Sequence, residues 1–139
     1  MTVLLDAFAL IALLAEEPAA DEVETILRRG QAAIPAINLA EALDVLQRVQ
    51  GVSSERLHAI TAPLLHSSVV LLPVDERLAR RAASIRARRY HRTRAPISLA
   101  DCVLLAAADA LDTVATADAP LIAVAREEGV QVTELPRLA

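Results

Sequence analysis

The sequence predicts an α/β fold in which a mainly parallel sheet of about five short strands packs against helices. Short apolar runs alternate with longer segments whose apolar residues recur at helical spacing, and this alternation is typical of parallel strands joined by crossover helices. The chain has 139 residues, the length of one domain. No repeat, low-complexity tract or linker divides it, so we expect a single domain over residues 1–139.

In the first half of the chain, the apolar runs TVLL and AAIP predict buried strands. The helix after the first strand is too apolar to be exposed, so it should lie against the sheet. Pro18 ends this helix, Gly30 ends the second helix and Gly51 ends the third. The expected order is strand 2–5, helix 7–15, helix 19–29, strand 32–35 and a helix from about 38 to 50.

The second half begins with a helix that Ser53 or Ser54 opens, and the run SVVLLPV predicts the third strand. An arginine-rich helix and an almost wholly apolar helix follow. Pro120 suits the first turn of the last helix, which Gly129 ends. The expected order is helix 53–66, strand 68–74, helix 76–90, helix 99–111, strand 112–116, a helix around Pro120 and strand 130–135.

All fourteen basic residues are arginines, although the formal net charge is −4. The lack of lysine excludes a P-loop lysine and a Schiff-base lysine. Eight of the arginines fall between Arg77 and Arg94, where only Asp75 and Glu76 could balance them. This excess predicts a face that binds a polyanion or an acidic partner, with a solvated, ion-paired helix face as the alternative.

The single cysteine, Cys102, cannot form an internal disulfide. No apolar run approaches the roughly 18 to 20 residues that span a bilayer. The first residues lack the basic segment of a secretory signal. We therefore expect a cytoplasmic protein with no membrane partner.

Four acids fall where predicted strands end or the following helices begin, and they are Asp6, Glu41, Asp101 and Asp118. Asp6 follows the first strand, Glu41 and Asp101 fall in the first turns of helices, and Asp118 follows the strand that ends at Thr116. Ligands of open parallel sheets bind beyond the carboxyl ends of the strands. The four acids therefore predict a shared site.

Each acid also has an interpretation as a helix cap. Two pairs have the spacing of a capping box, and they are Asn38 with Glu41 and Ser98 with Asp101. Asp118 precedes Pro120 as a cap residue would. Asp6 is the hardest to explain as a cap, because an unpaired charge at the edge of the core is costly.

Clustered carboxylates repel one another, and a hard divalent cation is their natural compensation. Mg²⁺ and Mn²⁺ prefer oxygen ligands, and they bind through carboxylates, waters and substrate phosphate. The four acids therefore predict one or two such ions, and this chemistry suits the cleavage of phosphodiester bonds.

At these residues the sequence resembles the PIN-domain ribonucleases, and most closely the VapC toxins of bacterial toxin–antitoxin pairs. Four segments carry the resemblance in the family's order, VLLDAFALIALL, AINLAEAL, ISLADCVLLAAA and VATADAPL, and together they cover essentially the whole chain. The resemblance implies a three-layer α/β/α fold. It also implies that four acids hold the metal and that two hydroxyl residues accompany them, namely Asp6, Glu41, Asp101 and Asp118, with Thr116 and Ser98.

The function that the resemblance implies is metal-dependent cleavage of RNA by activated water, which leaves a 5′-phosphate. The implied partners are a second copy of the chain and a small antitoxin of the VapB type that packs along the first helices. The arginine run supplies the candidate RNA contacts, which are Arg80, Arg81, Arg86, Arg88, Arg89, Arg92 and Arg94.

Two features depart from the family pattern. Ala119 and Pro120 follow the last acid, where polar or basic residues are common, and Phe8 and Tyr90 are the only aromatic residues that could stack on bases. A non-catalytic module is the alternative function. It would hold RNA or a protein on the Arg77–Arg94 face, and the acids would only cap helices.

Overall fold

The computed structural model describes residues 1–137, which form a five-stranded sheet and seven helices. The strands are β1 (Val3–Leu5), β2 (Ala32–Pro35), β3 (Val69–Leu72), β4 (Thr113–Thr116) and β5 (Gln131–Glu134). The helices are α1 (Ala7–Leu14), α2 (Ala20–Arg28), α3 (Ala36–Arg48), α4 (Ser54–Ser67), α5 (Glu76–Arg89), α6 (Leu99–Ala107) and α7 (Ala119–Glu127). Residues 138 and 139, the end of the predicted domain, lie outside the described residues. None of these helices is both long and apolar enough to cross a membrane.

Every strand pairing in the described sheet is parallel, and the strand order is β3-β2-β1-β4-β5. The chain builds outward from β1 through β2 to β3, and then returns to place β4 on the other side of β1. The strand order therefore reverses between β1 and β4. In open parallel sheets, ligands bind in the crevice beyond the carboxyl ends of the two strands at such a reversal.

Helices cover both faces of the sheet, because the strands are apolar on both sides. Leu4 and Val114 point into a core that α5, α6 and α7 complete, and their chain neighbours Leu5 and Ala115 point into the opposite core with α1, α2 and α3. The predicted three-layer α/β/α fold with a five-stranded parallel sheet is confirmed.

The predicted start of α3 was wrong. The helix begins at Ala36, directly after β2, instead of near residue 38. Pro35 is the N-cap residue and has an extended conformation, and no side chain caps this end. Glu41 therefore lies in the second turn of α3, not in the first turn as expected.

One helix and one strand, α6 and β3, also end earlier than the sequence predicted. α6 ends at Ala107 instead of residue 111, and Asp112 closes the turn that follows by accepting a hydrogen bond from the backbone N–H of Asp109 at 2.9 Å. β3 ends at Leu72, before Pro73, because proline has no N–H to continue the ladder.

Ion pairs tie the arginine-rich helix α5 to the end of α7. Glu128, whose side chain is 13% exposed, accepts hydrogen bonds from Arg88 Nη1 at 2.8 Å and Arg89 Nε at 2.7 Å. Glu127 also pairs with Arg89, at 3.1 Å. The expectation that only two neighbouring acids could balance the arginines was wrong, because these acids lie 38 to 40 residues further along the chain.

Glu128→Gln should lower the free energy of unfolding by about 1 kcal/mol at pH 7. The hydrogen bond from Arg88 holds the pKa of Glu128 below its ordinary value, so the folded chain favours the ionised form. This stabilisation is present above the ordinary pKa of glutamate and is lost as the pH falls through the lowered value of the folded chain. Urea titrations at neutral and strongly acidic pH measure it, and the gap between variant and wild type should close in acid.

Glu24→Gln is the matched control, because Glu24 pairs with Arg28 on the exposed surface of a single helix. Exposed pairs of this kind contribute only about 0.3–0.5 kcal/mol. A Glu128→Gln variant no less stable than Glu24→Gln would contradict the tie between α5 and α7.

Candidate functional site

Asp6 lies where β1 ends and α1 begins, and only 6% of the residue is exposed. Its Oδ1 accepts a hydrogen bond from the backbone N–H of Ala9 at 2.8 Å, so Asp6 caps α1. Burial raises the pKa of Asp6 to about 6. Hydrogen bonds from Thr116 and Ala9 oppose this rise, and the charges of Asp101 and Asp118 add to it. Asp6 is therefore a cap whose ionised form is destabilised by its surroundings.

Thr116 links the acids that follow the two central strands. It is the last residue of β4 and is fully buried. Its Oγ1 accepts a hydrogen bond from the backbone N–H of Asp118 at 3.1 Å, and its hydroxyl group lowers the pKa of Asp6. Asp118 in turn caps α7, since its Oδ2 accepts from the backbone N–H of Leu121 at 3.2 Å.

Ser98 and Asp101 form the predicted capping box at the start of α6. The backbone N–H of Asp101 donates to Ser98 Oγ at 3.0 Å, and the backbone N–H of Ser98 donates to Asp101 Oδ2 at 2.9 Å. Burial raises the pKa of Asp101, the hydrogen bonds with Ser98 oppose the rise, and the charge of Asp118 adds to it. Behind this first turn, α6 is almost wholly buried, so the carboxylate sits on a rigid support.

The other predicted capping box, Asn38 with Glu41, was wrong, because both residues lie inside α3. Asn38 is 1% exposed, and its Nδ2 donates to the carbonyl oxygen of Ala100 at 3.4 Å, which joins α3 to α6. Glu41 lies one turn later on the more exposed side of the site. Partial burial raises its pKa, and so does the charge of Asp101.

Asn38 is the site-supporting residue that the sequence did not identify. Its contact connects the turn before Glu41 with the residue before Asp101. Its Oδ1 is buried and has no hydrogen-bond partner within residues 1–137. An amide inside an otherwise apolar helical pattern was the available signal, and the capping interpretation concealed it.

Asp6, Asp101 and Asp118 lie near enough to one another, and Glu41 near enough to Asp101, for their charges to interact. The charge of Asp101 raises the pKa of both Asp6 and Glu41, and the charge of Asp118 raises the pKa of Asp6 and Asp101. Among the ion pairs of residues 1–137, none includes any of these acids. Protein cations therefore do not compensate the negative charge at the crevice between β1 and β4.

The donor chemistry of this cluster fits a hard divalent cation. Asp101 and Asp118 each use Oδ2 as a cap and keep Oδ1 without a partner in the described structure. Mg²⁺ needs only one or two protein carboxylates, because waters and substrate phosphate complete its coordination. Within residues 1–137, no group of three or more histidine, cysteine, aspartate or glutamate side chains lies close enough together to hold a metal ion as it stands. The cluster thus offers oxygen ligands without a preformed coordination sphere.

The predicted RNA-contact arginines fall into two groups. Arg80, Arg88 and Arg89 pair with acids. The partner of Arg80 is Glu76, as expected for a solvated, ion-paired helix face. The other four bind no acid within the described part of the chain, and they are Arg81, Arg86, Arg92 and Arg94. The predicted excess of positive charge therefore persists in only part of the run.

Two solved structures share the fold over nearly the whole chain. VapBC2 from Rickettsia felis, bound to a DNA fragment from their promoter, has a TM-score of 0.67 and 14% identity, and the match covers 98% of this chain and 100% of that one. FitAcB from Neisseria gonorrhoeae has a TM-score of 0.62 and 26% identity, and the match covers 96% of this chain and 97% of that one.

No curated protein matches the chain in a comparison of sequences. The family model of the PIN domain, however, matches residues 3–133, which include all four acids and every strand except the last residue of β5. The resemblance to the PIN-domain family, which four segments of the sequence carry, is confirmed. The chain belongs to the PIN-domain family.

Proposed function

We propose that the chain is a metal-dependent endoribonuclease and the toxin of a type II toxin–antitoxin system. The observation that carries this proposal is the uncompensated acid cluster at the point where the strand order reverses. The charge of Asp101 raises the pKa of Asp6 and Glu41, and the charge of Asp118 raises the pKa of Asp6 and Asp101, which would be an unfavourable arrangement if these acids served only as helix caps. PIN domains are generally nucleases, and this supports the cleavage of phosphodiester bonds as the reaction.

In this proposal Asp6, Glu41, Asp101 and Asp118 hold one or two Mg²⁺ or Mn²⁺ ions. An ion of this kind lowers the pKa of water and offsets the negative charge of a phosphodiester under attack. Thr116 holds the backbone of Asp118, and Ser98 holds both the backbone and the carboxylate of Asp101. Backbone N–H groups also hold the carboxylates of Asp6 and Asp118, so three carboxylates are oriented before substrate arrives. The exposed Glu41 lies on the open side, where RNA enters.

The proposed partners are a second copy of the chain and a small antitoxin of the VapB type. The likeness to the VapBC2 and FitAcB structures supports the antitoxin. Apolar side chains of α1 and α2 remain partly exposed, including Phe8, Ile11 and Leu27, and could contact it. Val23 and Ile26, in contrast, are buried in the core. A cytoplasmic location, and one domain over residues 1–139, belong to the same proposal.

A non-catalytic binding module remains the second candidate, because three of the acids do cap helices. Asp6, Asp101 and Asp118 each accept a backbone N–H at a helix start. In that case the charge of the cluster is incidental, and RNA or protein is held by the arginines alone. The two candidates differ in whether RNA is cleaved and whether a divalent ion is required.

Removal of divalent ions should abolish RNA cleavage. The purified chain is incubated with a labelled single-stranded RNA in Mg²⁺, in Mn²⁺ and in EDTA, and products are resolved by gel electrophoresis. We expect products with 5′-phosphate ends in either metal, none in EDTA, and recovery when metal is restored. Cleavage at an undiminished rate in EDTA would overturn the proposal, and binding without cleavage in all three conditions would favour the binding module.

A further inference from the structure

A cavity of about 370 Å³ lies beside the start of α6. Its lining comes from one face of α5 and the first residue of α6, and consists of Ala83, Arg86, Ala87, Tyr90 and Leu99. Tyr90 is 46% exposed and Leu99 57% exposed, although both are large apolar side chains. This cavity, the Tyr90 cavity, therefore lies at the start of the helix that also carries Asp101.

Arg86 is held in place at the edge of the Tyr90 cavity. Its Nε donates to the carbonyl oxygen of Ile97 at 3.1 Å, and its guanidinium carbon lies 4.3 Å from the centroid of the Tyr90 ring. Neither Nη atom of Arg86 has a hydrogen-bond partner within residues 1–137. The cavity therefore presents a fixed planar cation with free donors against an exposed aromatic ring.

The charge around the Tyr90 cavity is positive. No acidic side chain is among its described lining residues. Arg92 and Arg94 follow Tyr90 in the exposed loop of residues 91–94, and neither binds an acid in the part of the chain that the structure describes. An occupant that brings negative charge together with a flat apolar surface would complement both properties.

We propose that the Tyr90 cavity holds one unpaired base of a single-stranded RNA substrate. The base packs against Tyr90 and Leu99, Arg86 donates to oxygens of the base or its phosphate, and Arg92 and Arg94 contact neighbouring phosphates. Base–aromatic stacking of this kind is a general means of holding single strands. The inference rests on the proposed RNA substrate and adds a place where one of its bases is held.

A second copy of the chain fits this face poorly. In a two-fold dimer the same patch meets itself, so Arg86, Arg92 and Arg94 would approach their own copies without acids between them. Two exposed apolar side chains also supply far less contact surface than the roughly 1,000 Å² that a stable interface needs. RNA is therefore the occupant that the charge favours.

Binding is tested without cleavage, by the fluorescence anisotropy of labelled single-stranded RNA in EDTA. Tyr90→Ala should weaken binding about tenfold, and Tyr90→Phe should bind within about twofold of wild type, because the ring is retained. Arg86→Ala should weaken binding similarly. Arg28→Ala removes one exposed, ion-paired arginine on α2 and is the charge-matched control, with little expected effect.

A scan with RNAs that each carry one abasic residue identifies the base concerned. At one position, removal of the base should lower the RNA affinity of wild type about tenfold and leave the affinity of Tyr90→Ala unchanged, since the same contact cannot be lost twice. Equal RNA affinities of wild type and Tyr90→Ala would overturn the inference, as would a change from dimer to monomer in Tyr90→Ala without any change in RNA binding. The proposed function fails separately, if metal-loaded wild type binds RNA at the Tyr90 cavity but does not cleave it.

Discussion

Asp6→Asn and Asp101→Asn should each slow RNA cleavage more than 100-fold while the chain stays folded. Replacing residues that merely support metal ligands costs roughly 10–100-fold, so the loss of a ligand charge should cost more. Asparagine caps helices as well as aspartate does. Its side-chain oxygen can keep the hydrogen bond from Ala9 in one variant and from Ser98 in the other. The substitutions therefore remove charge and retain the cap.

Asp75→Asn is the matched control for this experiment. Asp75 caps α5 by accepting the backbone N–H of Leu78 at 2.8 Å, as closely as Asp6 caps α1. It exerts no charge effect on the acid cluster, and its substitution should leave cleavage unchanged. Initial rates in Mg²⁺ and Mn²⁺, with far-UV circular dichroism as the test of folding, make the comparison. If cleavage survives in both Asp6→Asn and Asp101→Asn, the acids serve only as caps.

Without divalent ions at pH 7.5, Asp6→Asn should stabilise the chain by roughly 3 kcal/mol, or roughly 10 °C in Tm. The pKa of Asp6 is about 6 in the folded chain, above its ordinary value of 3.8, so the folded chain holds this proton more tightly than the unfolded chain does. The stability that protonation supplies is present below pH 3.8 and is lost as the pH rises to about 6. Above that range wild type carries a buried charge, and the amide does not.

Thermal unfolding in EDTA at pH 3.5 and pH 7.5 measures this effect as the difference between variant and wild type. The difference in stability should be small at pH 3.5 and reach its full size at pH 7.5. Because both proteins share all the other carboxyl groups, the contributions of those groups cancel in the difference. Mg²⁺ at pH 7.5 should narrow it, because an ion that binds the folded wild type stabilises it. Asp75→Asn should show no gain at pH 7.5. An Asp6→Asn variant less stable than wild type in EDTA at pH 7.5 would show that Asp6 is stabilising as a charge.

The strands, and the positions of Asp6, Asp101 and Asp118 at helix starts, could be predicted because local chemistry determines them. Short apolar runs such as TVLL can satisfy burial on both faces only inside a parallel sheet. Once the strands are known, parallel pairing places Asp6 and Asp118 at the same edge of the sheet. The capping box of Ser98 and Asp101 is likewise a pattern within four residues, and the structure contains it.

What the sequence could not predict depends on contacts between distant parts of the chain. Asn38 looked like a cap because its spacing to Glu41 fits one, but its amide bonds to Ala100, 62 residues away. The end of α6 carries no glycine or proline, and Asp112 stops it while also accepting the backbone N–H of Thr2. The pairing of Arg88 with Glu128 spans 40 residues in the same way. Helix signals within a short window cannot report such partners.

The caps at the starts of α1, α6 and α7 have a consequence for how an ion would be acquired. Hydrogen bonds to the chain's own backbone order Asp6, Asp101 and Asp118 without any metal. The positive ends of three helix dipoles meet their charges and partly offset the repulsion. Metal loading would then require little conformational ordering and would not be coupled to folding, unlike in small metal-dependent domains. The chain would stay folded when divalent ions are scarce, and its activity could follow their supply reversibly.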